Sequence, residues 1–121
     1  MTPWEKCRPL IQAALATSPG LESIEDVERL VDEGKYLVFF GKQSCAVAEI
    51  AQFAQHKAFI IQHGGGDLTE LLDILEPKMC EFARSEGCTM MMGMGRKGWE
   101  RVTEKRGYRF GYLTMYKDLL H

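Results

Sequence analysis

The chain has 121 residues, 45% of them hydrophobic and 26% charged, with 15 basic against 17 acidic side chains and a formal charge of -2. That composition suits one globular domain of modest core and leaves no room for a second, and the near-neutral balance excludes an overall pull toward nucleic acid or anionic lipid. The longest apolar runs, Tyr36 to Phe40 and Ala58 to Ile61, fall far short of the roughly 20 residues that cross a bilayer. The amino terminus, Met1-Thr2-Pro3-Trp4-Glu5-Lys6, lacks the charged and apolar regions of a secretory signal, so a cytoplasmic protein is expected. Cys7, Cys45, Cys80 and Cys88 form no C-x-x-C pair, and no histidine stands at metal-ligand spacing to them. Reduced thiols and no metal site are expected.

Trp4, Cys7, Leu10, Ile11, Ala14 and Leu15 recur at steps of three and four, which predicts an amphipathic helix ending before Ser18-Pro19-Gly20. Ser23, with Asp26 three residues on, reads as the cap of a second helix carrying Ile24, Val27, Leu30 and Val31, and Gly34 closes it. Strands are expected at Lys35 to Phe40, Ser44 to Phe53 and Lys57 to Gln62. Gly64-Gly65-Gly66 then reads as a flexible strand-to-helix turn. Asp67 and Glu70 form an acidic capping box for a helix with Leu68, Leu71, Leu72 and Leu75, which Pro77 interrupts or restarts. That helix runs to Gly87, read as the left-handed residue that stops it, so Gly87 is expected to matter far more to stability than Gly65. Cys88 to Met92 predicts a short apolar strand, Trp99 to Lys105 a last helix, and Tyr108 to Asp118 a closing strand with Phe110, Tyr112, Thr114 and Tyr116 on one face.

The resulting α/β (α+β) order is ααβββαβαβ. It combines with Cys80-x-Phe82-Ala83-Arg84-x-x-Gly87-Cys88, Gly95-Arg96-Lys97-Gly98-Trp99 and Glu104-Lys105-Arg106-Gly107-Tyr108. Together these resemble the GNAT acetyltransferase superfamily over residues 24 to 119, in particular small phage- and prophage-encoded GNAT-like proteins that end in a Lys-Asp-Leu strand, here Lys117-Asp118-Leu119. The resemblance implies a single domain over residues 1–121, with two helices in 1–34 and a sheet-helix core in 35–119. Its mixed central sheet would be flanked by helices and trimmed at the family's first strand and closing hairpin.

The resemblance further implies acetyl-CoA lying between two splayed strands, with its pyrophosphate on backbone N–H groups at the start of the following helix. Gln62-His63-Gly64-Gly65-Gly66-Asp67 partly meets the family's glycine-rich loop, which makes Gly64, Gly65 and Gly66 the candidate cofactor residues. Asp67 and Glu70 oppose it, because they place carboxylates where a pyrophosphate needs donors and positive potential. Thr103 occupies the place of the family's acid tyrosine, and Tyr112 or Tyr116 would substitute only if the closing strand folded back. Glu49 and His63 are the candidate bases for an acceptor amine.

Gly93-Met94-Gly95-Arg96-Lys97-Gly98 also matches G-x-G-x-x-G, with Arg96 and Lys97 as anion contacts. The leading expectation is a catalytically degenerate, phage-related GNAT-like protein without cofactor. It would act through protein partners in virion structure or assembly, itself able to pair as a homo-oligomer, and would bind neither membrane nor nucleic acid. The alternatives are an acetyl-CoA-dependent N-acetyltransferase acting on a small-molecule or protein amine, and a nucleotide or anion binder at Gly93 to Gly98.

Overall fold

Local signals build the amino-terminal helices of the computed structural model, which describes residues 2–94, 99–111 and 114–120. Thr2 caps α1 (Pro3–Leu15) by accepting from the Glu5 N–H at 3.1 Å, while Glu5 reaches back to the Thr2 N–H. Ser23 and Asp26 do the same for α2 (Ile24–Asp32), at 3.1 and 2.9 Å. Glu28 of α2 ties the pair together by accepting from Trp4 Nε1 at 2.7 Å and Arg8 Nε at 3.2 Å.

Four strands follow, β1 (Leu37–Phe40), β2 (Ser44–Gln52), β3 (Lys57–Gly66) and, after the next helices, β4 (Met90–Gly93). They lie in that order, antiparallel except for the parallel β3–β4 pair. Both faces of β2 are covered along its first half, which is why Cys45 to Ala48 is a continuous apolar run and not an alternation. Cys45 and Val47 join Cys7, Ile11, Ile24, Val27 and Tyr36 beneath α1 and α2. Ala46 and Ala48 join Phe59, Leu71, Leu75, Met79 and Ala83 on the opposite face.

The second helical layer contains α3 (Leu68–Glu70), a π-helical stretch (Leu71–Leu75) and α4 (Glu76–Ser85). Pro77 restarts the helix. The preceding Glu76 N–H reaches five residues back to Leu71, and Pro77 falls in the first turn of α4, where its missing N–H costs nothing. Gly87, at φ 81°, ends α4 as expected, with its N–H on the Arg84 carbonyl and that of Cys88 on Ala83. The short α5 (Trp99–Glu104) ends likewise at Gly107, and Trp99 is half-buried against the second core cluster.

Two expectations change. The three glycines are strand, not turn: Ser44 pairs with Gly66, Cys45 with Gly65 and Ala46 with Gly64. A Cβ on Gly65 would sit 2.6 Å from the Leu10 carbonyl oxygen of α1, and one on Gly66, at φ 93°, would collide with the Gln43 carbonyl. These residues are small so that α1 and the β1–β2 turn can close on the strand. Gly87 has no such neighbour, its nearest being Lys57 Nζ at 3.9 Å, so the expected order of importance is revised. Gly65→Ala should cost about 1–3 kcal/mol by overpacking, at least matching the backbone strain of about 1–2 kcal/mol from Gly87→Ala. Thermal melts of the two variants check this, and a negligible loss at Gly65 would contradict the close approach.

The second change is the closing strand. The described residues of Tyr108 to Asp118 form none, and Phe110 is 59% and Tyr116 72% exposed. Phe110 and Tyr116 are not covered, the described residues of the segment pair with no strand, and pattern without pairing makes no strand. Tyr112 lies outside the described residues, as do Arg96 and Lys97, so the proposed anion contact does too.

Candidate active site

Among the described residues, β4 accompanies β3 over only part of its length. β4 stays paired with β3 from Ala58–Met90 to Ile61–Gly93, with a last bond from the Met94 N–H to the Ile61 carbonyl at 3.3 Å. β3 continues five residues further, from Gln62 to Gly66, with only β2 as a strand partner among the described residues. A bulge marks the divergence: Ala48 pairs with Ile61 and Val47 with His63, leaving Gln62 as the extra residue. Such a bulge bends its strand and re-aims the side chains beside it.

Two polar groups lie on the α1/α2 side of this opening. Gln62 Nε2 donates to Glu49 Oε1 at 2.6 Å. His63 Nε2 lies 2.8 Å from Glu22 Oε1, and the Tyr36 hydroxyl donates to Glu22 Oε2 at 2.7 Å. The Tyr36 and His63 rings meet edge to face with centroids 6.5 Å apart. Burial first, then the bond to Glu22 and the charges of Glu22 and Glu49, push the Tyr36 phenol above its usual range, so it remains a donor. The two candidate bases, Glu49 on β2 and His63 on β3, thus sit in two neighbouring polar groups, Glu49 with Gln62 and His63 with Glu22 and Tyr36, that meet at the bulge. Glu22 and Tyr36 were not legible as members of the second.

Gly64 to Gly66 follow on the same strand and lead into α3, but the spaces beside Gly65 and Gly66 are filled by protein. At the helix start Asp67 accepts from the Glu70 N–H at 2.8 Å, as expected. The reciprocal half of the box is absent. Glu70 turns instead to the Ser44 hydroxyl and the Gln43 N–H, while the Asp67 N–H goes to the Gln43 carbonyl. Ser44 and Gln43 hold the Glu70 carboxyl below its ordinary range, so its charge is occupied with the β1–β2 turn.

Among the described residues, neither Thr103 nor Tyr116 is placed to serve as the acid that the resemblance implies. Thr103 Oγ1 donates to the Trp99 carbonyl at 2.8 Å, and Tyr116 lies in solvent. Tyr108, beside Gly107, has a buried hydroxyl with no hydrogen-bond partner among the described residues. Burial, then the proximity of Glu76 and Cys80, raise its pKa, which places it against α4.

A sheet that opens between parallel strands, with helices on both faces and a bulge at the opening, is the GNAT-like single-domain fold. Solved acetyltransferases share it. The chain is similar to a Trypanosoma brucei acetyltransferase at 19% identity, covering 98% of this chain and 96% of that one with a TM-score of 0.68. Arabidopsis thaliana glucosamine-6-phosphate N-acetyltransferase gives 16% identity, 98% and 95% coverage and a TM-score of 0.67. An aminoglycoside N-acetyltransferase in complex with CoA gives 12%, 95% and 88%, and 0.70. No protein-family model matches the chain, and no curated protein matches its sequence. The similarity supports neither the phage-related reading nor that of a degenerate scaffold acting through protein contacts, and the expectation of no cofactor gains nothing from it.

Proposed function

We propose that the protein is an acyl-CoA-dependent N-acetyltransferase that acts on an amine presented to the α1/α2 face of the sheet. The observation that carries this reading is the placement of His63, bonded to a carboxylate, on the strand segment that borders the opening. The residues present fit an acyl-CoA. The Gln62–Gly66 edge offers backbone donors and acceptors to an extended, amide-containing chain. Beyond it, the N–H groups of Leu68 and Thr69 open a helix and have no partner one turn back, which favours an anion. When bound, the thioester supplies an activated acyl group. As the amine nitrogen bonds to the acyl carbon and the carbon–sulfur bond breaks, His63 takes the proton that the amine loses, Glu22 offsets the charge the ring then carries, and CoA leaves as a thiolate that takes its proton from water. Glu49, oriented by Gln62, draws an ammonium toward the same face.

One group opposes the fit. Asp67 keeps a carboxylate at the helix start, so Asp67→Asn should tighten CoA binding by up to about fivefold, from about 0.3–1 kcal/mol of helix-terminus electrostatics. Titration of both proteins with CoA checks it, and unchanged or weaker binding would place the phosphates elsewhere. The reading as a whole is tested by following thiol release from acetyl-CoA over a panel of small-molecule and peptide amines. Turnover that needs both substrates supports it, and none with any amine removes it.

A further inference from the structure

Glu22 is an unusual loop glutamate. It precedes the cap of α2, in the connection from α1, yet its side chain is only 21% exposed and both its oxygens are engaged. The position is fixed from behind, since Ser23 is tied to Asp26 through its N–H and its hydroxyl. It is fixed from in front by Tyr36, whose phenol stays protonated and gives its hydrogen to Oε2. An ionised carboxylate can only accept hydrogen bonds, so the atom of His63 that faces Oε1 at 2.8 Å, Nε2, must carry the proton. The other ring nitrogen, Nδ1, has no hydrogen-bond partner among the described residues.

We propose that Glu22 is a positioning residue for His63: held by Tyr36, it fixes the imidazole in the tautomer protonated at Nε2 and leaves Nδ1 as its open proton acceptor. The inference rests on the acetyltransferase reading for the use of Nδ1, but not for the tautomer itself. It makes the α1–α2 connection part of the site, because the connection delivers the carboxylate to a strand 41 residues away in sequence. A carboxylate behind an imidazole sets its orientation and stabilises the cation formed when the far nitrogen accepts a proton, so the effect belongs in the chemical step and not in binding.

The test uses the full chain labelled with nitrogen-15 in histidine, with the ring signals of His63 assigned by their loss in His63→Gln. Two-bond proton–nitrogen spectra of the free protein should show the Nε2–H tautomer. Glu22→Ala should convert it to a mixture or to Nδ1–H. In acetyl transfer, Glu22→Gln and Glu22→Ala should lower kcat about 10–100-fold with KM for acetyl-CoA held within about twofold, and Glu22→Asp should recover part of the loss. A wild-type ring protonated at Nδ1, or a tautomer indifferent to Glu22→Ala in a folded variant, would overturn the proposal. So would a loss confined to KM. A wild-type protein that transfers no acetyl group would overturn the acetyltransferase reading instead, and the tautomer would still decide what Glu22 does.

Discussion

His63→Ala is expected to lower the rate of acetyl transfer by about 10²–10⁴-fold, the range for loss of a positioned acid–base group, with CoA affinity unchanged. The ring stands on β3 just past its last pairing with β4, its side chain is 13% exposed, and a carboxylate holds one of its nitrogens. It is therefore oriented and partly shielded from water, the two conditions under which an imidazole accepts a proton in a defined direction. CoA binding rests in this account on strand edge and helix start, which the substitution leaves alone. Steady-state kinetics paired with calorimetry separates the effects. A loss of less than about tenfold would shift the base to Glu49, which Glu49→Gln would then expose.

Phe59→Ala is expected to produce the largest loss of stability, about 3–5 kcal/mol for a buried phenylalanine. Phe59 is 0% exposed and lies at the centre of three mutually edge-to-face rings, 5.7 Å from Phe39 and 6.1 Å from Phe82, which are themselves 5.5 Å apart. From β3 its ring reaches α4 and, across β2, β1, next to Ala46 and Ala48, whose small side chains cannot expand to fill the cavity. A domain of this size holds about 5–15 kcal/mol in total, so the variant should melt well below the parent or fail to accumulate. A shift of only a few degrees would mean that the second core cluster collapses around the void.

The parts of the fold that could be read from sequence are those fixed within one turn of chain. The Ser23–Asp26 cap, the Gly34, Gly87 and Gly107 stops and the restart at Pro77 each depend on residues no more than about five positions apart. What could not be read depends on distant neighbours. The glycines of β3 looked like a turn because nothing local shows that the Leu10 and Gln43 carbonyls pack against them. Glu70 looked like half of a capping box because the competing donors, Ser44 and Gln43, lie more than 25 positions away. The aromatic alternation after Gly107 suggested a strand, but whether the segment finds a strand to pair with is a property of the finished sheet. In the site, Glu49 and His63 were singled out by chemical type and by their strand positions near the cleft that the resemblance implies, while Glu22, which joins His63 to Tyr36, gave no signal in the chain.

Calorimetric titration of the purified protein with acetyl-CoA tests the acyltransferase account most directly, because every proposed step needs the thioester held at the opening between β3 and β4. The account predicts saturable one-to-one binding with a micromolar dissociation constant, a free energy of about -8 kcal/mol. No heat of binding at millimolar ligand would contradict it.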